Sequence, residues 1–157
     1  MKYLKYFLLA FTFSASAFSS FAQVKSAETK IEKFKPPVVR SFLGINQNGA
    51  TVTADEAAQL LAIPIKVNDE KNNSYAVDSY QFLYRKKSYI QDEKTGKVVP
   101  TFTITSSRFS ATPLPEIWVD NVKTDLKPDE QLYFFDIVVK DKQGRRFFAP
   151  DIKITIK

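Results

Sequence analysis

QLYFFDIVVK, at residues 131–140, is the stretch of sequence that decides the fold. It is rich in the aromatic and β-branched side chains that favour strands. Apolar side chains occupy both alternating sets of positions, first Leu132, Phe134 and Val138, and second Tyr133, Phe135, Ile137 and Val139. The pattern therefore predicts a strand near the centre of a sheet, with both of its faces buried.

The residues that follow predict two further strands. Asp141-Lys142-Gln143-Gly144 has the composition of a hairpin turn, with a glycine available for positive φ, and residues 145–149 return from it. Beyond Pro150, three isoleucines alternate with polar residues as far as Lys157. That alternation predicts a half-buried final strand with a basic outer side.

Upstream, residues 75–87 predict a long strand with Tyr80, Phe82 and Tyr84 on one face. Residues 86–89 and 98–104 predict a hairpin about the turn Lys94-Thr95-Gly96. Residues 38–45 and 63–67 predict two shorter strands. Residues 109–124 have no readable periodicity, because Pro113 and Pro115 interrupt them.

One short helix is predicted at residues 54–61. Thr53 and Glu56 form the capping-box pattern, in which side chains satisfy amide groups that the first helical turn leaves free. Pro64 ends the segment soon afterwards. The whole pattern predicts an all-β, antiparallel, immunoglobulin-like sandwich of about seven or eight short strands with one short helix.

The N-terminus reads as a secretory signal peptide over residues 1–22. Lys2 and Lys5 precede an apolar run, and Ser20-Phe21-Ala22 places small residues before a cut at Gln23. A membrane anchor is the weaker reading, because the run is short and serines interrupt it. Residues 23–37 then predict a polar flexible tether, and residues 38–157 the folded domain.

The residue inventory limits the chemistry. The chain contains no His and no Cys, which removes imidazole bases, thiol nucleophiles and most zinc or copper sites. Three adjacent carboxylate pairs (Asp69-Glu70, Asp92-Glu93 and Asp129-Glu130) lie in polar turns, and no calcium-loop pattern is present. We therefore expect neither catalytic residues nor a bound cofactor or metal, and a hydrolase that uses carboxylates is the least favoured function.

Two basic and aromatic segments are the predicted partner contacts. Arginine and tyrosine are common in binding hot spots, and both segments flank predicted hairpin turns. The candidate residues are Tyr84, Arg85, Lys86, Lys87, Tyr89, Arg145, Arg146 and Phe147. The alternative reading is charge that protects strand edges from unwanted pairing. Nucleic acid is not an expected partner, because the chain carries an export signal.

Three stretches carry a resemblance to a known family. They are residues 49–61 with the capped helix, Val77-Asp78-Ser79-Tyr80-Gln81-Phe82, and residues 126–139 with a turn followed by F-x-D-I-x-V. With the turn at Gly144 and the strand to Ile156, they resemble the C-terminal domain of the gliding-motility protein GldM, over roughly residues 37–157. These motifs are structural and shared widely among β-sandwiches.

The resemblance implies a place in the cell envelope. The family belongs to the machinery of gliding and type IX secretion, where this domain reaches across the periplasm to a ring at the outer membrane. The family's transmembrane helix and long shaft are absent from this sequence, so the resemblance implies a free-standing exported version of the distal domain.

The leading functional expectation is a non-catalytic periplasmic module that binds other envelope proteins. The alternative is a secreted carbohydrate-binding or adhesion-type sandwich, for which Trp118 and neighbouring tyrosines would have to line an exposed flat face. The sequence leaves open which partner is bound, whether the chain oligomerises, and whether it stays beneath the outer membrane.

Overall fold

The computed structural model describes residues 33–157. The predicted signal peptide and residues 23–32 of the predicted tether lie outside the described residues. Residues 33–38 form neither helix nor strand. Residues 35–157 form one compact unit.

Ten elements follow in chain order. They are β1 (Val39–Leu43), β2 (Ala50–Val52), α1 (Ala54–Leu61), β3 (Ile65–Asp69), β4 (Ser74–Gln91), β5 (Val98–Phe109), α2 (Glu116–Lys123), β6 (Gln131–Lys140), β7 (Arg146–Ala149) and β8 (Ile152–Ile156). The predicted all-β class is confirmed: eight strands form one curled, sandwich-like sheet with two short helices.

The sheet is mixed, which corrects the antiparallel expectation. Its strand order is β1-β3-β4-β6-β8-β2, with β5 paired to β4 and β7 paired to β6. The β2–β8 pair is parallel and the other pairs are antiparallel. A parallel pair is possible here because β2 and β8 are far apart in the sequence. The long connection between them can return the chain to the same end of the sheet, which a hairpin turn cannot do.

The core lies on the inner face of this sheet, which we define as the side that carries Tyr80, Phe82, Phe134 and Ile154. These four residues are between 0% and 1% exposed. The strands β1 and β3 curl over this side, where β1 lies against β7 and β8. The helix α1 contributes Ala57, Leu60 and Leu61 to the same core. Aromatic rings of β4 and β6 pack directly, with the Phe82 and Phe134 centroids 4.9 Å apart.

The helix α1 begins at the predicted Thr53 cap, but the Glu56 side chain bonds to Asn46 in place of the Thr53 amide that the capping box predicts. The Thr53 hydroxyl accepts a hydrogen bond from the Glu56 amide at 3.2 Å. The Glu56 carboxylate accepts from the side chain of Asn46 at 3.4 Å. The predicted boundaries, residues 54–61, match the observed helix.

The second helix was not predicted. Pro115 precedes α2, and proline is compatible with a helix start because its missing N–H needs no partner there. Val119 and Val122 are buried in the core, and Trp118 makes edge-on contacts with Phe82 and Phe109. The prolines of this segment therefore mark the entry to a helix and do not exclude one.

A bulge in β6 overturns the predicted alternation of that strand. Asp136 has a φ of 48°, and the pairing with β4 shifts register between Ser79 and Gln81. As a result Ile137 and Val139 are buried on the same side as Phe134, and Val138 is displaced to the other side. The expectation that both faces of β6 are buried is therefore wrong: the side that carries Tyr133, Phe135 and Val138 remains half-exposed.

Candidate binding face

The second side of the sheet, which we call the outer face, is the candidate functional site. Residues directly opposite each other in an antiparallel pair share a face, and the register places Tyr133 beside Leu83 and beside Lys153. Arg85 lies opposite Ile104 on one side and Gln131 on the other. These side chains are half-buried or exposed, in contrast to the fully buried side chains of the inner face.

Arg85 and Phe102 form the first feature of this face. The Arg85 guanidinium lies 3.4 Å from the centre of the Phe102 ring, within the range of a cation–π contact. Phe102 is 37% exposed and Ile104, which lies beside it on β5, is 61% exposed. The contact holds a cation against an apolar surface that water can reach.

Tyr133 and Phe135 form the second feature. Their rings stack nearly in parallel, with centroids 4.9 Å apart and planes 14° apart. The Tyr133 hydroxyl donates to the Asp151 carboxylate at 2.6 Å, and this hydrogen bond, with burial, raises the pKa of Tyr133. The rings are thereby held in one orientation, which lowers the entropy cost of using them as a contact surface.

A shallow cleft of about 310 Å³ opens next to Tyr133. It is lined by Asn48, Leu83, Gln131, Tyr133, Asp151 and Lys153. The Asn48 side chain accepts a hydrogen bond from the Lys153 amide at 3.0 Å, which joins the loop before β2 to β8. The cleft combines one aromatic wall with amide, carboxylate and ammonium groups.

The carboxylates of the outer face have polar partners of their own. Asp151 accepts from Tyr133, and Asp136 accepts from the Gln81 amide at 2.6 Å. Within residues 33–157, Arg85 and Lys153 stand on the same face without an ion pair of the kind that holds Lys86, Lys87 or Arg146. The centre of the outer face therefore offers aromatic rings beside two cations and two carboxylates whose hydrogen-bond donors are neutral.

The first predicted contact segment is only partly available. Tyr84 is 5% exposed and points to the inner face, which corrects the expectation that it reaches solvent. Lys86 pairs with Asp125 at 2.5 Å, and Lys87 pairs with Asp129 at 2.8 Å. Lys86 holds the pKa of Asp125 below its ordinary value, and Lys87 does the same for Asp129.

Tyr89 keeps the predicted exposure, at 60%. Arg85 is half-buried under its contact with Phe102. Tyr89 lies on what we call the arm, the part of β4 and β5 beyond the last pair of β4 with β6, which is Arg85 with Gln131. Large apolar side chains of the arm are exposed: Tyr89, Ile90, Val98 and Val99.

The second predicted contact segment is also only partly available. Phe147 is 5% exposed and packs edge-on against Tyr75, so the expectation of a solvent contact there is wrong. Arg145 pairs with Asp141 at 2.7 Å, and Arg146 pairs with Asp78 at 2.8 Å. Lys140 also pairs with Asp78, and its hydrogen bond is the largest cause that lowers the Asp78 pKa.

The structure does not bring the two predicted segments together. Arg85 lies opposite Gln131 at the first residue of β6, and Arg146 lies opposite Lys140 at the last. At ~3.4 Å per residue, these positions are about 30 Å apart along the strand. A single small ligand cannot contact both.

Sequence reasoning missed other residues of the outer face. Tyr133 and Phe135 were assigned to a buried face, and Phe102, Ile104 and Lys153 were not singled out as contacts. The alternating pattern does place these residues on the opposite side of the sheet from the buried residues. Alternation does not indicate, however, which side of the sheet other segments of the chain will cover.

Glu130 is the fully buried carboxylate of the described chain. It accepts from the Tyr84 hydroxyl at 2.5 Å and from the amides of Lys87 and Lys127 at 2.9 and 3.0 Å. Burial and this carboxylate raise the pKa of Tyr84. Its oxygens are thus occupied in fastening the turn before β6 to β4.

Residues 33–157 contain no cluster of three or more acidic side chains placed to hold a metal ion. Nor do they contain a helix with the length and apolar character to cross a membrane. No protein-family model matches the chain, and no curated protein matches it.

Proposed function

We propose that this chain is a non-catalytic binding module of the cell envelope that holds another protein against the outer face of its sheet. The observation that carries the proposal is the uncovered group of Arg85, Phe102, Tyr133 and Phe135 on β4, β5 and β6. Tyrosine and arginine are enriched in binding hot spots, and aromatic residues in general are enriched at protein interfaces.

The chemistry of the face defines the kind of partner. Its carboxylates, Asp136 and Asp151, are hydrogen-bonded to Gln81 and Tyr133, while Arg85 and Lys153 present positive charge beside the rings. A protein segment with apolar side chains and charges of both signs complements this arrangement. The absence of His and Cys from the sequence and the full use of Glu130 in the fold agree with a non-catalytic role.

The envelope setting rests on the sequence. The signal-peptide pattern of residues 1–22 favours export. The resemblance to the GldM C-terminal domain favours a periplasmic partner related to gliding or type IX secretion. We propose the periplasm or the periphery of the outer membrane as the location.

The test is capture of partners by matched variants. The full chain is expressed in cells, and the purified wild type, Arg85→Glu and Arg40→Glu proteins are each immobilised. Arg40→Glu is the control, because it makes the same change of charge at an exposed position on β1. Captured envelope proteins are quantified by mass spectrometry, and the strongest is purified for a direct binding measurement. We expect Arg85→Glu to weaken that binding at least tenfold and Arg40→Glu to leave it unchanged.

Equal binding by wild type and Arg85→Glu would contradict the proposal, provided that both variants unfold at the same denaturant concentration. Loss of binding in both variants would point to general electrostatic attraction. In that case the outer face is not the specific contact surface.

Carbohydrate binding is the second candidate, and the cleft beside Tyr133 is the observation that favours it. Trp118 does not serve this role, since it is half-buried against Phe82 and Phe109. Tyr133 with the amides of Asn48 and Gln131 offers a ring and hydrogen-bonding groups of the kind that sugars require. Retarded migration in gels that contain envelope polysaccharide, abolished by Tyr133→Ala, would favour this function over protein binding.

A further inference from the structure

The strand β5 is a long edge strand. Within residues 33–157 it pairs with β4 alone, along twelve registered positions from Val98 to Phe109. Its other side presents backbone groups that no described strand satisfies. Proteins commonly protect such edges with charges, covering loops or short strands, yet this strand has Arg108 as its single charged residue.

The register identifies which β5 residues direct backbone groups outward. The Asp92 amide donates to the Lys97 carbonyl at 2.8 Å, so this pair is hydrogen-bonded. Hydrogen-bonded pairs alternate along an antiparallel ladder, and therefore the odd-numbered residues of β5 bond to β4. Phe102, Ile104 and Ser106 direct their amides and carbonyls to the free edge.

The position of Pro100 agrees with this assignment. Pro100 is an even-numbered residue paired opposite Tyr89, so its missing N–H would have faced the free edge. Proline is tolerated in a strand at such positions because no ladder bond is lost. The remaining outward amides from Phe102 to Arg108 are available for pairing.

The five residues of β5 centred on Thr103 are symmetric in residue class. Residues 101–105 read Thr-Phe-Thr-Ile-Thr, with apolar residues at equal distances on either side of the central threonine. Phe102 and Ile104 share the outer face, and they are 37% and 61% exposed. Thr101, Thr103 and Thr105 share the opposite face.

We propose that β5 pairs with β5 of a second copy of this chain, antiparallel and with a twofold axis at Thr103. Phe102 of each copy then lies opposite Ile104 of the other, and Thr101 lies opposite Thr105. Pairs of aromatic with β-branched residues and pairs of threonines are both favourable across antiparallel strands. Phe102 and Ile104 exchange their outward hydrogen bonds, and the Pro100 carbonyl accepts from the amide of Ser106 in the second copy.

Charge and symmetry are compatible with this pairing. In this register, Arg108 lies opposite Val98 of the second copy, and the two Arg108 residues are about 34 Å apart along the strands at ~3.4 Å per residue. That separation exceeds the Debye length of ~8 Å at physiological salt, so their repulsion is screened. The twofold contact is closed, because each copy uses its β5 edge once. It also joins the two outer faces into one continuous surface.

Single cysteines test the register directly, because the chain has no native cysteine. Thr103 meets its own copy at a non-hydrogen-bonded position, where Cα atoms are about 4.5 Å apart and within the range of a disulfide. Thr101 is the matched control, since it lies opposite Thr105 and about 14 Å from its own copy. Under mild oxidation, we expect Thr103→Cys to form disulfide dimers at least five times faster than Thr101→Cys.

A second pair of variants measures association without a cross-link. The wild-type protein is purified from cells that express the full chain. Its sedimentation equilibrium should show a monomer–dimer equilibrium. Ile104→Lys places two like charges near the twofold axis and should shift the midpoint of that equilibrium at least tenfold toward monomer. Ile117→Lys, at a 67% exposed position on α2, is the control and should leave the midpoint unchanged.

Three results would overturn the proposal. They are a wild type that stays monomeric at all concentrations measured, a dimer that Ile104→Lys and Ile117→Lys weaken equally, and equal rates of disulfide formation in the two cysteine variants. Tyr133→Ala changes the outer face on β6 and leaves β5 unchanged, so loss of partner capture with retained dimerisation separates this proposal from the proposed function.

Discussion

Phe134 and Phe135 are adjacent in β6 and have opposite surroundings. Phe134 is 1% exposed and packs between the rings of Tyr80 and Phe82 on the inner face. Phe135 is half-buried on the outer face, where it stacks on Tyr133. The same residue type stabilises the fold on the side that receives a second layer and forms a contact surface on the side that does not.

Truncation of the two rings should separate these roles most clearly. We expect Phe134→Ala to lower the free energy of unfolding by about 3–5 kcal/mol, because it leaves a cavity in the core. Phe135→Ala should cost about 1–2 kcal/mol, since its ring is partly in water and loses one stacked neighbour. Urea denaturation measures both, and equal costs would show that the outer face is covered.

Removal of the buried carboxylate should have the next largest effect. Glu130→Ala leaves the Tyr84 hydroxyl and the Lys87 and Lys127 amides without their acceptor. Because buried donors without partners are costly, we expect a loss of about 3 kcal/mol. Glu93→Ala, at an exposed position in the turn of the arm, is the control and should stay within about 0.5 kcal/mol. Similar stabilities of the two variants would mean that water replaces Glu130.

Loss of the α1 cap should have a smaller effect on the same inner layer. Thr53→Ala removes the acceptor for the Glu56 amide and should cost about 1 kcal/mol. Thr53→Ser keeps a hydroxyl at the cap and should restore most of the stability. A thermal or urea midpoint that does not move in the alanine variant would show that the helix does not depend on this cap.

The smallest effect at neutral pH concerns Tyr80. Its buried hydroxyl makes no hydrogen bond of good geometry in the described chain, and Thr112 nearby offers only a weak interaction. Burial raises the pKa of Tyr80 from 10.0 to about 12. Tyr80→Phe should therefore leave stability at pH 7 within about 1 kcal/mol of wild type, since no well-formed hydrogen bond is lost.

The same shift predicts a dependence on alkaline pH. A raised pKa means that the unfolded chain ionises first, so the stabilising contribution is complete below pH 10 and is lost as pH rises from 10 toward 12. Tyr84 contributes in the same direction. Between pH 8 and 11.5, the urea midpoint of Tyr80→Phe should fall less steeply than that of wild type, and parallel curves would contradict the assignment.

Much of the fold could be predicted because local signals agree with the final structure. The α1 cap, the hairpin about Gly96, the turn at Gly144 and the isoleucine alternation of β8 all appear where residue types require them. The helix α2 could not be predicted, because Pro113 and Pro115 disfavour regular structure in a local sequence pattern. The helix is favoured by the burial of Val119 and Val122 in the core, which depends on the tertiary structure.

The candidate site could be predicted only in part. Tyr89 keeps the exposure expected of a contact residue and Arg85 is half-buried, whereas Tyr84 and Phe147 are core residues. The alternating pattern of β4 already places Tyr84 on the same face as Tyr80 and Phe82. Tyr84 could therefore have been assigned to the core from the sequence. The ion pairs of Lys86, Lys87 and Arg146 join residues that are distant in sequence, so no local pattern reports them.

The sequence by itself determined the strand-rich class, the capped helix, most turns and the lack of imidazole and thiol chemistry, since these depend on neighbouring residues or on inventory alone. Tertiary structure decided the parallel β2–β8 pair, the bulge at Asp136 and the choice of which apolar face of β6 stays open. Each of these depends on which distant segment packs against a given face. The segment that packs there is the one that lets the whole chain bury the most apolar surface. A local sequence pattern describes only one of the two surfaces in each such contact.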